Sequence, residues 1–337
     1  MRGVVFTGNR QLEIRSFPDP HAGPGEAVVR IEASGMCGSD LHAYRGPQAL
    51  QTISGHEPCG VIAELGAGAP AGLHVGDRVM VHHYAGCGLC EICAMGFEQA
   101  CPNGRVTYGG GTGHGANADA MLVPARTLVP LPDELSFEEG AAIACGTGTA
   151  WCGLKKLQVA GGDTVAIFGQ GPVGLSGTAS AVAMGARVLA VDVLPARLAL
   201  AKELGAEAVI DASAADPVAA IRELTGGRGA TASLETSGNA AARSQCLEAL
   251  ALFGRCCFVG IGGPATIDFN RDVIFKMVTV YGSWTFSKAE LIAIARFMVE
   301  RRVPLQKLIT HRFPLDQAAE AFRIFDGGAA GKCMIVS

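Results

Sequence analysis

A cysteine, two histidines and several carboxylates lie close together near the amino terminus. Residues 35–42 read GMCGSDLH and are followed by Gly55-His56-Glu57. Thiolate and imidazole are ligands that zinc prefers, and a catalytic zinc usually takes three protein ligands and keeps one position open. Cys37 and His56 supply two such ligands. The pattern therefore predicts a catalytic metal site whose third ligand comes from further along the chain.

A second group of thiols occurs within one loop. Cys87, Cys90, Cys93 and Cys101 follow the pattern C-x2-C-x2-C-x7-C, which suits a closed tetrahedral zinc. Two disulfides or an iron–sulfur cluster are the alternative interpretations. The chain opens without the apolar core of a secretory signal, so we expect a reducing compartment in which disulfides are rare. We predict a structural zinc that orders this loop.

The composition favours a soluble, cytoplasmic enzyme. The chain has 337 residues, a net charge of −4 and a pI near 6.1. That charge gives no broad positive field for nucleic acid or an anionic membrane. The most apolar region, residues 165–193, contains Gln170, Arg187 and Asp192, which argue against a membrane span. The length is sufficient for two domains, each with its own core.

The elements that must position the first metal site are short strands. Apolar or alternating runs occur at residues 4–6, 27–31, 60–65 and 75–81, with proline and glycine between them. This pattern predicts an irregular, β-barrel-like amino-terminal half that carries functional loops.

A nucleotide-binding pattern follows. Residues 164–168 form a buried-strand run, 169–174 read GQGPVG, and a helical stretch to residue 184 precedes a second strand that ends at Asp192. Strand, glycines, helix, strand and terminal acid in this order make the dinucleotide fingerprint. The glycines let the backbone approach a pyrophosphate at the helix start. Asp192 can accept hydrogen bonds from a ribose 2′-hydroxyl and would repel a 2′-phosphate, so NAD is favoured over NADP.

Strands and helices continue to alternate, which predicts a doubly wound parallel sheet. The strand predictions are 208–210, 230–234, 255–259 and 278–281, and the helices between them are 217–225 and 240–250. Two further helices, 288–301 and 316–325, and a strand at 331–336 complete the chain.

These motifs, in this order and spacing, resemble the zinc-dependent medium-chain alcohol dehydrogenases, the family of alcohol, sorbitol, butanediol and threonine dehydrogenases. The resemblance covers the whole chain. It implies an α/β protein with a GroES-like β-barrel catalytic domain (1–152, with a zinc lobe at about 86–102) and a Rossmann domain (153–285). Residues 286–337 would return to the catalytic domain, and the active site would lie in the cleft between the domains.

The resemblance also assigns roles near the first metal site. By its surroundings alone, Cys145 is an ordinary core thiol, but it matches the family's third catalytic-zinc ligand, beside Cys37 and His56. Glu57 matches an acidic neighbour that transiently coordinates the metal, and Asp40 a carboxylate that orients the ligand histidine. The matching proton relay consists of Ser39 and His42.

For the cofactor, the resemblance implies contacts along the glycine loop and the strand after it. Some members carry an arginine near the carboxyl terminus that contacts the pyrophosphate, and the chain departs from them in the corresponding stretch, residues 332–335. The predicted cofactor residues are Thr149, Gly169, Gly171, Pro172, Val173, Gly174, Asp192, Arg197 and Ile261.

Substrate choice is expected to depend on a polar pocket. His83 stands where family members often place a bulky pocket-lining side chain, and His114, Asn117 and Trp284 are further candidates. A polar pocket favours a diol, polyol or hydroxy-substituted substrate, whereas Cys145 as third ligand is typical of the alcohol-type enzymes.

The resulting prediction is a zinc-dependent oxidoreductase that transfers a hydride between NAD and a secondary alcohol, diol or polyol, with two zinc ions per chain. The alternatives are an NADH-dependent aldehyde or ketone reductase and an L-threonine 3-dehydrogenase-like enzyme. A nucleotide-binding module without catalysis would have eroded ligands, and here the ligand set is intact. The family implies a homodimer or homotetramer.

Overall fold

The computed structural model describes residues 1–328 and 331–337, which form two compact units. Unit 1 contains Met1–Cys145, Phe286–Glu300 and Ile309–Ser337, and unit 2 contains Gly146–Thr285 and Arg301–Leu308. The sequence had placed the first boundary at residue 152. In the structure, the first segment of unit 1 ends at Cys145. The helix that contains Gly153 belongs to unit 2, where this glycine lies against Leu234 and Val259.

The strands and helices are numbered in chain order. The strands are β1 Arg2–Gly8, β2 Gln11–Ser16, β3 Glu26–Gly35, β4 Glu57–Leu65, β5 Arg78–Val81, β6 Tyr84–Ala85, β7 Val106–Thr107, β8 Ala120–Pro124, β9 Leu128–Pro130, β10 Thr164–Phe168, β11 Arg187–Asp192, β12 Ala208–Asp211, β13 Ala230–Glu235, β14 Leu250–Phe258, β15 Thr279–Gly282, β16 Ile309–Pro314 and β17 Lys332–Val336. The α-helices are α1 Asp40–Arg45, α2 Glu91–Ala94, α3 Phe137–Ala142, α4 Gly148–Lys156, α5 Pro172–Ala183, α6 Pro195–Glu203, α7 Pro217–Leu224, α8 Ala240–Glu248, α9 Lys288–Glu300 and α10 Ala318–Asp326. Two π-helices span Ile143–Thr147 and Asn270–Ile274, and 3₁₀ turns span Glu98–Ala100, Ala125–Thr127, Leu305–Leu308 and Leu315–Gln317.

Unit 1 is built on a seven-stranded sheet in the order β16-β17-β3-β4-β5-β9, with β8 also paired to β3. Its inward-facing residues, such as Val29, Ile62 and Val79, form a fully buried apolar core, as alternating strands require. The antiparallel register pairs Gly35 of β3 with Glu57 of β4 and with Met334 of β17. This register brings the chain segments around residues 36, 57 and 333 together at one end of the sheet.

Unit 2 is a six-stranded parallel sheet in the order β12-β11-β10-β13-β14-β15. The apolar strand β10 is central and almost wholly buried, as expected for a strand covered on both faces. Strand order reverses between β10 and β13, the point at which doubly wound sheets bind nucleotides at the carboxyl ends of the strands. The predicted fold class, with its GroES-like and Rossmann-type parts, is confirmed.

The local predictions differ from the structure at several elements, two of which belong to the sheets. Strand β16 and the π-helix Asn270–Ile274 were not predicted, and β14 begins at Leu250, earlier than expected. Helix α8 ends at Glu248, and the carbonyl of Ala249 accepts a 2.9 Å hydrogen bond from the backbone N–H of Ala230 as the chain turns into β14. Within residues 1–328 and 331–337, no helix is long and apolar enough to cross a membrane.

Candidate active site and metal centres

Four potential ligands converge in unit 1. The thiolate, imidazole and carboxylate atoms of Cys37, His56, Glu57 and Cys145 all lie within 4.8 Å of one another. Cys37 follows the end of β3 and His56 precedes β4, and the pairing of Gly35 with Glu57 places these two segments side by side. Cys145 arrives from the π-helix Ile143–Thr147, a rare conformation that is frequent at functional sites.

Asp40 fixes the orientation of the ligand histidine. Its Oδ1 lies 2.7 Å from Nδ1 of His56, and its Oδ2 accepts a 2.9 Å hydrogen bond from the backbone N–H of Cys37. Both side chains are buried. Because Nδ1 donates to this carboxylate, Nε2 is the ring atom available to a metal. The resemblance had assigned this orienting role to Asp40, and the geometry agrees with it.

The donor set carries protons that a zinc ion would displace. Burial lowers the pKa of His56, but the Asp40 carboxylate outweighs it, so the pKa lies well above that of an ordinary histidine. The pKa of Cys37 is well below that of a free thiol, chiefly because the Cys145 thiol donates a hydrogen bond to it. The same bond, together with burial, raises the pKa of Cys145. The two thiols therefore differ in acidity, with Cys37 the more acidic, and zinc binding would release the protons that the ligands carry.

Glu57 has a partner that the sequence did not reveal. Lys332, at the start of β17, is 1 % exposed, and its Nζ donates to the Met36 carbonyl at 3.2 Å and forms an ion pair with Oε2 of Glu57. Burial lowers the pKa of Lys332, but Glu57 and the nearby thiols raise it further, so the ammonium stays charged. Among the described residues, the other oxygen of Glu57, Oε1, is buried without a hydrogen-bond partner. An oxygen left free in this position suits an occasional metal ligand.

The predicted relay residues lie on the exposed side of the same site. The hydroxyl of Ser39 is 3.3 Å from Nε2 of His56. His42 is exposed on α1, the helix that Ser39 precedes. In the described part of the chain, no side-chain contact joins Ser39 to His42, so the structure brings only the serine to the ligand cluster.

The predicted pocket residues occupy different environments. His83 is 1 % exposed, and its ring centroid lies 5.1 Å from that of His56. Asn117 is fully buried and uses its amide to bridge the hydroxyls of Ser34 and Ser54. His114 is exposed beside Phe17. Trp284 belongs to unit 2 and is 42 % exposed.

The four cysteines of the loop form the second cluster. Their sulfur atoms lie within 4.8 Å of one another, with Cys87 and Cys93 4.0 Å apart and Cys90 and Cys101 3.8 Å apart. Sulfurs at the corners of a tetrahedron around zinc would be about 3.8 Å apart, given a Zn–S distance of about 2.3 Å. None of the four forms a disulfide. The donor set therefore fits a closed zinc site.

The glycine loop of unit 2 connects β10 to α5. Gly169 has φ +87°, and a Cβ on Gly174 would lie 1.8 Å from the carbonyl oxygen of Gly169, so both positions require glycine. Gly171 caps α5, and Pro172 fills its first turn, a preferred position for proline. Because few atoms surround Gly171, a pyrophosphate can approach the backbone there.

Asp192 ends β11 next to this loop. One carboxylate oxygen accepts the backbone N–H of Gln170 at 2.5 Å, and the other accepts those of Val193 and Leu194. The Arg197 guanidinium lies 3.9 Å from Asp192. Thr149 has a buried hydroxyl for which the described part of the chain offers no hydrogen-bond partner, and Ile261 is 67 % exposed. These predicted cofactor residues all belong to unit 2.

Family models match both halves of the chain. Residues 23–133 match the alcohol dehydrogenase GroES-like domain, and residues 172–300 match the zinc-binding dehydrogenase domain. The first match contains most of the ligands described above, and the second begins at the helix after the glycine loop.

Full-length relatives carry related names. An uncharacterised zinc-type alcohol dehydrogenase-like protein of Escherichia coli (strain K12) is 36% identical over 99% of this chain and 98% of its own. An L-threonine 3-dehydrogenase of Pyrococcus horikoshii is 34% identical over 94% of this chain and 92% of its own. An alcohol dehydrogenase of Geobacillus stearothermophilus is 34% identical over 98% of each chain.

Solved structures agree with these matches. The alcohol dehydrogenase of Thermus sp. ATN1 superimposes with a TM-score of 0.91 at 31% identity and covers 100% of this chain and 99% of its own. The 2R,3R-butanediol dehydrogenase of Bacillus subtilis gives a TM-score of 0.89 at 28% identity, with the same coverage of each chain.

Proposed function

The chain belongs to the zinc-dependent medium-chain alcohol dehydrogenase family, and from that premise we propose that it transfers a hydride between NAD and a secondary alcohol, diol or polyol. The observation that carries this proposal is the convergence of Cys37, His56 and Cys145 beside a paired acid, Glu57. A bound zinc supplies Lewis acidity, which makes an alcohol oxygen acidic enough for hydride to leave the adjacent carbon.

The residues around the ligands hold and move protons. Asp40 keeps His56 in the tautomer that presents Nε2. The hydroxyl of the exposed Ser39 lies 3.3 Å from Nε2 of the ligand imidazole, and it would accept the alcohol proton. His42, which is exposed on α1, would release the proton to solvent. The position of both residues at the start of α1 supports this path.

We assign cofactor choice to Asp192. Its carboxylate stands at the end of β11 beside the glycine loop, where it can accept hydrogen bonds from a ribose diol and repel a 2′-phosphate. This placement supports NAD over NADP. The loop from Gly169 to Gly174 receives the pyrophosphate, because its small residues leave the backbone accessible. The proposed neighbours of the rest of the cofactor are Thr149, Val173, Arg197 and Ile261.

L-Threonine is the second candidate substrate. The relative from Pyrococcus horikoshii is named for that activity and is as similar to this chain as the relative named an alcohol dehydrogenase. The reverse reaction, reduction of an aldehyde or ketone by NADH, uses the same site, because hydride transfer is reversible.

A homodimer or homotetramer is the proposed assembly. Strand β15 lies at the end of the parallel sheet, and Val280 within it is 44 % exposed. An edge strand with unpaired backbone groups is a template for a second copy. Sedimentation analysis of the purified protein would distinguish a monomer from these assemblies.

The test is NAD⁺ reduction by zinc-replete protein across secondary alcohols, vicinal diols, sugar alcohols and L-threonine, repeated with NADP⁺. Turnover with NAD⁺ supports the proposal. Cys37→Ser should lower kcat by more than about 100-fold, since losing a ligand costs more than losing a supporting residue, while NAD⁺ binding persists. Cys59→Ala, which alters a buried thiol outside both clusters, is the matched control. Normal turnover by Cys37→Ser without catalytic zinc would refute the proposal.

A further inference from the structure

A long loop of unit 2 is held by side chains of a neighbouring helix. The loop covers residues 259–268, between β14 and the π-helix that begins at Asn270. We propose that Arg243 of α8 holds this loop in the shape that receives the dinucleotide and so controls how tightly the cofactor binds. Arg243 is a positioning residue, because it acts on the cofactor through the backbone of the loop. This inference rests on the proposed function and extends its cofactor site.

Three backbone carbonyls of the loop accept hydrogen bonds from α8. One terminal nitrogen of the Arg243 guanidinium donates to the Gly260 carbonyl at 2.7 Å, and the other donates to the Gly263 carbonyl. The hydroxyl of Ser244 donates to the Thr266 carbonyl at 2.6 Å. A guanidinium presents its donors in a fixed, planar geometry. A single side chain therefore fixes both the start and the middle of the loop.

The loop has few other restraints. In the described part of the chain, Val259 and Gly260 donate backbone hydrogen bonds to the Glu235 carbonyl, at 2.9 and 3.0 Å, and residues 261–267 form no backbone–backbone hydrogen bond. Residues 261–264 are exposed. A segment with so few backbone bonds and so little burial opens locally at a low free-energy cost. The bonds from α8 are thus the main restraint on its shape.

A buried carboxylate supports Arg243. Glu235, at the end of β13, is fully buried, and its Oε1 accepts hydrogen bonds from the backbone N–H groups of Ser237 and Gly238, at 2.7 and 2.9 Å. Its Oε2 lies 3.9 Å from Nε of Arg243. Among the described residues, neither of these two atoms has a hydrogen-bond partner, so each charge is compensated mainly by the other. The pair joins the loop after β13 to the loop after β14.

These loops lie where a dinucleotide is expected. Strands β10, β13 and β14 are neighbours in the parallel sheet, so the loops that follow them meet at its carboxyl edge, beside the point where strand order reverses. The hydroxyl of Thr236 donates to the Gly169 carbonyl of the glycine loop at 2.9 Å. A Cβ on Gly238 or on Gly262 would overlap the backbone of the other loop. The three loops therefore form one packed surface, and displacing the third changes the surface that the cofactor meets.

The expected consequence is a cofactor site that is ordered before the cofactor arrives. A loop already held in its binding shape loses less conformational entropy on binding. Without Arg243 that cost falls on the binding step, so Kd for NADH should rise by about 10- to 100-fold, as expected when hydrogen bonds from a charged donor are lost. The KM for NAD⁺ should rise with it, whereas the KM for the alcohol should stay close to that of the wild type.

Four variants, titrated with NADH and followed by its fluorescence, grade the effect. Arg243→Met removes the donors and should give the full rise in Kd, and Arg243→Lys keeps the charge and should recover part of it. Ser244→Ala removes one bond without changing a charge and should raise Kd by about 5-fold; it carries the test should Arg243→Met fail to fold. The matched control is Arg222→Met, which removes an exposed arginine of α7 that donates to the Glu248 carbonyl at 3.2 Å and should leave Kd unchanged.

A second measurement needs no cofactor. Thermolysin cleaves before large apolar residues, and the loop offers Ile261 and Ile267. In the native protein, Arg243→Met should be cut within residues 259–268 about 10-fold faster than the wild type or more, because the loop opens more often. Mass spectrometry of the fragments locates the cut. Arg222→Met should be cut at the wild-type rate.

Two outcomes would overturn the inference and leave the proposed function intact. One is a wild-type Kd for NADH in both Arg243→Met and Ser244→Ala. The other is an equal rise in the KM for NAD⁺ and the KM for the alcohol in Arg243→Met, together with a lower midpoint of thermal unfolding, since Arg243 would then support the fold of unit 2 as a whole. Wild-type protein that binds no NADH would instead refute the proposed function.

Discussion

The two clusters of metal ligands in unit 1 are built in opposite ways. The four-cysteine cluster is contained within residues 87–101, and Cys87 is exposed. The other cluster gathers Cys37, His56 and Cys145 from distant parts of the chain into a buried site that includes a charged pair. We expect the first cluster to need a metal ion to order its loop, and the second to be held in shape by the surrounding sheet, whose register pairs Gly35 with Glu57. This difference predicts where each substitution should act.

The largest expected effect is on the loop cluster. Cys93→Ser should remove one zinc and lower the free energy of unfolding by about 4 kcal/mol or more, as loss of a structural metal does. Two apolar side chains of the loop, Leu89 and Met95, are largely exposed, so they add little to its stability. Denaturant unfolding combined with metal analysis would measure both quantities.

The control for Cys93→Ser is Cys59→Ala, which changes a buried thiol outside both clusters. It should cost only about 1 kcal/mol, the typical cost of a point substitution, and leave both zinc ions bound. If Cys93→Ser retained two zinc ions and normal stability, the loop would be ordered by its protein contacts alone.

The buried cluster should depend instead on its ion pair. Lys332→Met leaves the Glu57 carboxylate buried without its partner, and breaking a buried pair in this way costs about 3–5 kcal/mol. The double variant Lys332→Met/Glu57→Gln removes both charges and should recover most of that loss. Unfolding measurements on the two variants form the test, and a single variant as stable as the wild type would contradict it.

The ion pair of the loop cluster provides a matched comparison. Arg126 bonds to Glu98 at 3.3 Å and is 39% exposed, whereas Glu98 is 9% exposed. When the arginine is removed, the Glu98 carboxylate still accepts a 2.7 Å hydrogen bond from the backbone N–H of Gly86, so it is not left without any partner. Arg126→Met should therefore be less destabilising than Lys332→Met. If Arg126→Met were the more destabilising of the two, the proposed difference between the clusters would be wrong. The buried cluster would then not depend on its ion pair more than the loop cluster does.

The same difference explains what the sequence could predict. The four cysteines lie within one loop, so their spacing in the sequence is enough to identify the cluster. The parallel sheet could likewise be predicted from the alternation of strands and helices along the sequence. Cys145 has only small apolar neighbours in the sequence, like any core thiol, and its role came from the family resemblance alone. The Lys332–Glu57 pair joins residues 275 positions apart, and only the register of β17, β3 and β4 brings them together.

A smaller effect should come from the residue that orients His56. Asp40→Asn keeps the shape of the side chain but weakens the hydrogen bond at Nδ1, and the loss of such a supporting group typically lowers metal affinity by about 10- to 100-fold. Competition with a chromophoric chelator would show one zinc leaving more readily and the other unchanged. An equal change at both sites would mean that Asp40 supports the fold of unit 1 and has no particular role at the metal.

The smallest effect concerns the helix that leads to Cys145. Ser136 caps α3 through a reciprocal pair of bonds with Glu139, from Glu139 N–H to the serine hydroxyl at 3.2 Å and from Ser136 N–H to the carboxylate at 2.9 Å. Ser136→Ala should cost about 1 kcal/mol, as loss of a cap does. Because α3 runs directly into the π-helix that holds Cys145, zinc affinity at the buried cluster should fall slightly while the loop cluster keeps its metal.

Ser136→Asp separates capping from the other contacts of this residue. Aspartate caps helices as well as serine does, so stability and zinc affinity should be close to those of the wild type. Ser213→Ala, which alters an exposed hydroxyl bonded to Asp211 in unit 2, should leave zinc affinity unchanged. If Ser136→Asp were as damaging as Ser136→Ala, the start of α3 would not be what positions Cys145. The scaffold of the buried cluster would then depend on the packing of the glycine and alanines of α3 against β3 and β4.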